Sequence, residues 1–296
     1  MKTLICLKFV AMLSLFVCTS VSFAGLPASQ RLQSFIAKTD EISSNRKPTA
    51  EKARLVNAEY LKSFSADAST IPDDELADFF EATYYTLDRS RLPSLEKIFA
   101  RLVEARKATP EQSGKLLQMY YTLREFHKAN GFLKRYSPTS SSQETIKIND
   151  LASPSALRTG WVLHDNRNLT RVDLDLNVGK HLVIIISPYC PFAIKAVSEI
   201  ERDATLAPLL RRRVTVMVMQ DFNFFYDKYS HWNAMHPLLP LVLTHSREEW
   251  LEVSHWVSPL FLFFRDGKLE SKFSGWPPEG NWDKVYAGFG ITFLSQ

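Results

Sequence analysis

Cysteine is scarce in this chain: there are three in 296 residues, and two of them, Cys6 and Cys18, belong to the first segment. Charge of one sign is scarce too. The formal net charge is +4, and it falls to +2 if the first segment, with two lysines and no acids, is removed. So weak a balance does not argue for a nucleic-acid or anionic-membrane partner. Beyond the first segment no apolar run approaches the ~20 residues that a membrane-spanning helix requires. Metal-ligand motifs of compact spacing are also missing: among His231, His236, His245 and His255 the intervals are 5, 9 and 10 residues.

The first segment accounts for itself. Lys2 and Lys8 precede an apolar stretch, 9–16, and small residues two apart close it at Ser22-Phe23-Ala24. A basic n-region, a short h-region and such a site describe a secretory signal peptide over 1–24, cut after Ala24. Val17 stands before Cys18, where a lipoprotein would carry a small residue. The mature protein is therefore expected in the periplasm or secreted, with no membrane insertion after cleavage. Cleavage leaves Cys190 alone. An unpaired cysteine in an exported protein reads as a reactive thiol or an intermolecular link. Against that stands a small buried hydrophobe with no chemistry.

The remaining length suits two domains at ~100–150 residues each. Over 25–136 the apolar residues recur at three and four, as in Leu32-Phe35-Ile36 and Leu76-Phe79-Phe80-Thr83-Leu87, the period of amphipathic helices. Helix starts are marked at Pro48, Pro72, Pro93 and Pro110, several followed by acids, which predicts about five helices. Tyr84-Tyr85-Thr86-Leu87 recurs as Tyr120-Tyr121-Thr122-Leu123, an offset of 36 residues. That is close to the helical-hairpin periods near 34, so the segment loosely resembles a tetratricopeptide array. A plain bundle fits equally well.

Ser137-Pro138-Thr139-Ser140-Ser141-Ser142 breaks the pattern and predicts a linker over 137–156,. The period then changes. Trp161-Val162-Leu163 and Thr170 to Leu174 flank Asp165-Asn166-Arg167-Asn168, a hairpin signal,. Leu182 to Ile186, Val214 to Met219 and Leu260 to Phe264 are near-continuous apolar runs, as buried strands require. Helices are predicted over 191–203 and 282–289, and Lys272-Phe273-Ser274-Gly275 reads as a hairpin partner of the third run.

In this setting the stretch from Gly179 to Ala193 resembles the thioredoxin superfamily. The likeness is closest to the exported TlpA-like branch, in which a Gly-Lys turn leads through a core strand to a Cys-x-x-Cys motif. Val257-Ser258-Pro259, an apolar strand and Arg265-Asp266-Gly267-Lys268 look like that family's cis-proline loop, strand and turn. The likeness spans about 160–290. It implies an α/β thioredoxin-like fold over 157–296, a mixed sheet with helices on both faces; the all-α helical-hairpin or bundle domain that precedes it lies outside the likeness and is read from its periodicity. It also implies Cys190 as the attacking thiol, with Tyr189, Pro191, Val257, Ser258 and Pro259 binding the substrate chain. Pro191 suits the first position of a helix, and unpaired N–H groups with the helix dipole favour thiolate just before it. Lys180 and Lys195 are further cations nearby, read as solvated.

The departures bear on function. The resolving cysteine of the family falls on Ala193, and its buried acid falls on Ile184. Without a second thiol, exchange stops at the mixed disulfide until another thiol arrives. Three readings stay open. The first is a single-cysteine thiol–disulfide oxidoreductase forming mixed disulfides with protein or small-molecule thiols. The second is a redox-inactive binding or scaffold protein that uses its helical domain to hold a protein partner. The third is a one-cysteine thiol peroxidase, suggested by Ser187-Pro188-Tyr189-Cys190 and opposed by Val183, where a proline is expected. No cofactor or metal is expected, the histidines being read as hydrogen-bonded groups on an added lid. An aromatic-rich insertion is expected over 221–241. Its rings either cover Cys190 or dock the helical half, the second being favoured because large apolar surface is usually buried. Ser246-Arg247-Glu248-Glu249 is expected to open a helix.

Overall fold

The computed structural model describes residues 26–136, 145–165, 167–221 and 224–292. The signal-peptide segment 1–24, linker residues 137–144 and Phe222 of the insertion lie outside them. Among the described residues no helix is long and apolar enough to cross a membrane.

Six α-helices come first: α1 (Ala28–Ser44), α2 (Thr49–Ser63), α3 (Leu76–Tyr85), α4 (Leu92–Glu104), α5 (Pro110–Thr122) and α6 (Phe126–Tyr136). They pair as hairpins, α1 with α2, α3 with α4 and α5 with α6, and the first helices of successive hairpins pack on one another. The two Tyr-Tyr-Thr-Leu strings fall at equivalent places, closing α3 and α5. Tyr84 and Tyr120 are both buried. The expected five helices become six because α6 carries no proline start. Its entry is set by Arg124, whose φ of 60° turns the chain back directly after α5. Entry into α5 is a capping box, with Thr109 Oγ1 accepting from the Gln112 amide at 3.1 Å and Gln112 Oε1 accepting from the Thr109 amide at 3.0 Å,.

The rest is a single eight-stranded mixed sheet. Its elements are β1 (Lys147–Asp150), β2 (Thr159–His164), β3 (Asn168–Asp173), β4 (Lys180–Ile186), α7 (Pro191–Arg202), α8 (Ala207–Arg213), β5 (Val214–Val218), α9 (Tyr226–Met235), β6 (Leu241–Thr244), β7 (Leu260–Arg265), β8 (Lys268–Ser274) and α10 (Trp282–Phe289). Strand order is β1-β3-β2-β6-β5-β4-β7-β8. β4, β5 and β6 run parallel, and β7 returns antiparallel beside β4. Leu182 through Ile186 are wholly buried, as their unbroken apolar run requires,. Alternation divides them. Leu182, Ile184 and Ile186 face the core under α7 to α10, while Val183 and Ile185 face a second core with Trp250 and Val253.

Three expectations change here. The segment read as a linker, 137–156, carries β1, which pairs in parallel with β3. The insertion 221–241 holds α9 and leads directly into β6, a strand inside the sheet. Ser246 caps a single 3-10 turn, Arg247–Glu249, in place of a helix. That turn is the helical cover of the second face, where Trp250 and Val253 supply the apolar bulk that a longer helix would have supplied.

Candidate functional site

β4 ends at Ile186, and the chain bends so that the Cys190 amide donates to the Ser187 carbonyl at 3.0 Å. Cys190 is the N-cap of α7 and Pro191 its first residue, where the missing N–H costs nothing. The sulfur is half-buried, and it donates to the Ser258 carbonyl at 3.4 Å. The Ser258 hydroxyl accepts from the Ser187 amide at 2.8 Å. One residue thus ties the end of β4 and the cysteine to the loop before β7. The Ser258–Pro259 bond is cis, and the Pro259 carbonyl accepts from Gly275 at 2.9 Å. Val257, just before Ser258, is 42% exposed. Its backbone N–H and C=O have no hydrogen-bond partner among the described residues.

Cys190, Pro191, Ser258 and Pro259 therefore meet at one place, the carboxyl ends of the parallel strands, where open α/β sheets bind ligands. Tyr189 joins them from the side. It is 40% exposed and meets Phe225 edge-on, with ring centroids 6.1 Å apart. Burial, then the nearby Asp221 carboxylate, raises the Tyr189 phenol above its usual range. Lys195, still solvent-exposed, pairs with Glu199 and donates to the Pro278 carbonyl. Ala193 and Ile184 are fully buried core residues.

The insertion's rings divide between two tasks. Phe224 stacks on Tyr121 of α5 at 4.7 Å, so it docks the helical half. Phe225, the next residue, stands by Tyr189. The four histidines do not converge. His236 lies 2.6 Å from Glu201, His245 Nδ1 accepts from Trp161 Nε1 at 3.1 Å, and His255 reaches the Arg46 carbonyl. Among the described residues no group of three or more His, Cys, Asp or Glu side chains could hold a metal ion.

The helical half docks at the same end of the parallel strands. Thr122 Oγ1 donates to the Asp221 carbonyl at 3.0 Å, and Phe126 meets Trp161 edge-on at 5.0 Å. Arg124 is buried, donating to the Thr244 carbonyl and the Tyr121 carbonyl at 3.0 Å each. Desolvation brings this guanidinium down to about 10. Nothing in the periodicity of either half pointed to Asp221, Phe225 or Arg124. The only available signal was the crowding of aromatics after β5.

A central strand ending at a helix-capping cysteine, a parallel neighbour, and an antiparallel strand entered through a cis-proline together make the second unit a thioredoxin-like fold. No family model and no curated protein matches the sequence. Among solved structures, the chain is similar to a "Putative Thioredoxin from Neisseria meningitidis" at 13% identity. That match covers 46% of this chain and 91% of that one, with a TM-score of 0.32. It is also similar to a thioredoxin-like protein from Bacteroides caccae at 12% identity, over 92% of this chain and 95% of that one, with a TM-score of 0.31.

Proposed function

We infer that Cys190 forms mixed disulfides with the thiol and disulfide groups of protein or small-molecule partners. The observation that carries this reading is the half-exposed sulfur at the start of α7, 3.4 Å from the Ser258 carbonyl and beside an unbonded Val257 backbone. In the step, the Cys190 thiolate attacks one sulfur of a partner disulfide. A new S–S bond forms as the old one breaks, and the departing sulfur leaves with the electron pair and takes a proton from solvent. Cys190 is oxidised and the departing half is reduced. With Ala193 one turn on, the adduct persists until a thiol from outside the chain attacks it. Val257 and Ser258 hold the partner backbone, and Tyr189, Pro191 and Pro259 shape its surroundings. On the strength of residues 1–24 we place this chemistry in the periplasm or outside the cell, where disulfides persist.

Oxidised glutathione followed by peptide mapping tests the reading. One glutathione adduct is expected on the peptide containing Cys190, and none there in Cys190→Ser. Absence of that adduct in the unmodified chain rejects it. One observation favours a second reading, a scaffold acting through its helical hairpins: Ala193 and Ile184 are packed as plain core. Full function of a Cys190→Ser strain would decide for the scaffold.

A further inference from the structure

Where the helical array docks at the strand ends, the two halves flank a half-open cavity of about 790 Å³. That is the size of a ligand-binding pocket rather than of a packing defect. Ala50 and Ala53 of α2 form one wall, Leu87 and Leu123 another, and Trp250 and Trp256 the wall on the sheet side. Most polar groups there are engaged within the protein, while Arg247 Nε and Trp250 Nε1 are buried with no hydrogen-bond partner among the described residues. Arg247 donates to the Gln220 carbonyl, Arg89 to the Leu123 carbonyl, and Thr49 Oγ1 accepts from the Trp256 amide. What the space offers an incoming group is therefore mainly apolar contact. Leu251, also lining it, is 90% exposed.

Two stretches of chain link the cavity to the cysteine. Trp256 is two residues before Ser258, whose carbonyl accepts from the Cys190 sulfur. Gln220 lines the cavity too, and its neighbour Asp221 lies close enough to Tyr189 to act on its phenol. An extended chain advances ~3.3 Å per residue and returns a side chain to the same face every second residue. A partner chain bound to Cys190 and lying along Val257 thus brings the side chain two residues from its own cysteine beside Trp256.

We propose that this cavity is a side-chain subsite for a polypeptide partner, taking a large apolar or aromatic side chain two residues from the partner's reacting cysteine. It rests on the mixed-disulfide reading of Cys190 and gives that reading its substrate class: protein chains in preference to free small thiols. Continuity with the Cys190 loop selects a polypeptide over a free apolar ligand, because Val257, with its unbonded backbone, joins Trp256 of the cavity wall to Ser258 at the sulfur.

Two acetylated peptides test the subsite without disulfide chemistry. Each has serine in place of cysteine, and each carries either phenylalanine or alanine two residues away on both sides. Binding to the full chain is read by calorimetry. Burying one phenylalanine is worth about 1.5–3 kcal/mol, so the phenylalanine peptide is expected to bind ~10-fold tighter or better. Ala53→Trp fills the space from the exposed side of α2 and brings the ratio to about one, with thermal unfolding as the check on folding. Leu251→Asp, at a fully solvated position, lowers the ratio as well and decides the matter if Ala53→Trp does not fold. Equal binding of the two peptides overturns the proposal. So does a ratio that survives both substitutions, which would put the phenylalanine on the exposed rings of Phe192 and Phe225. The reaction of Cys190 with oxidised glutathione is read separately. Its failure would end the mixed-disulfide reading while leaving the peptide ratio interpretable.

Discussion

Ala193 is wholly buried on the first turn of α7, and its amide donates to the Cys190 carbonyl at 3.0 Å. Residues three apart on a helix share a face, so a thiol at 193 would sit beside the one at 190. Ala193→Cys is therefore expected to change the course of exchange rather than its first step. The parent chain accumulates the glutathione adduct, whereas the variant passes on to an internal disulfide and releases glutathione. Intact mass after alkylation distinguishes them, and equal accumulation in both would mean that the two positions cannot meet. The added sulfur overpacks a tight core, at a cost of about 1–3 kcal/mol. His245 makes a different prediction. Burial first, then Arg171, holds its imidazole down at about 4, against 6.5 for a free one. As pH falls through 6.5 the unfolded chain takes up a proton that the native chain refuses until about 4, so stability drops across that window. His245→Gln keeps an acceptor for Trp161 Nε1 and removes the titration. Its melting temperature should fall less between pH 7 and 4.5 than that of the parent, and identical slopes would show that His245 is not the group responsible.

At the scale of elements, α10 lies on β7 through Gly288, and any Cβ there would land in the ring of Phe263. An alanine in a helix is normally worth about 1 kcal/mol over glycine. Here the sign reverses: Gly288→Ala should lower stability by about 1–3 kcal/mol as Phe263 is displaced, measured by urea unfolding. A more stable variant would mean that α10 slides freely on the sheet. This helix was legible in the sequence, as were β4, β5 and β7, because each carries its own period or an unbroken apolar run. β1 and β6 were not. Each has four residues, too few to show alternation, and each exists because a neighbouring strand accepts its hydrogen bonds. Ser246 illustrates the opposite error. Its hydroxyl does cap, accepting from the Glu248 amide at 3.3 Å, but Trp250 must turn inward to fill the second core, and the helix stops after one turn. The candidate site was legible to the same degree. Cys190 and Pro259 stood in local motifs, while Phe225 and Asp221 reach them only through the path of the chain after β5.

For the whole molecule, the question is how firmly the helical array is joined to the sheet. No periodicity within either half could state that Phe126, a helix residue, completes the core over Trp161. Arg124 is the polar part of the same joint. Truncating it leaves the buried Thr244 carbonyl without its donor, and an unsatisfied buried group costs about 1–3 kcal/mol. All six tryptophans, at 161, 232, 250, 256, 276 and 282, lie in the sheet unit and none in the array. Tryptophan fluorescence therefore reports the sheet alone, while the helical circular dichroism signal is weighted toward the array. In the parent chain the two signals are expected to change together on urea unfolding, as one cooperative unit requires. In Arg124→Leu the helical signal should be lost at lower urea than the fluorescence, because the joint gives way before the sheet does. Coincident transitions in the variant would place the coupling in the Phe126–Trp161 and Tyr121–Phe224 contacts instead. Separate transitions in the parent would mean two units that merely touch, and the cavity between them would open and close with their contact.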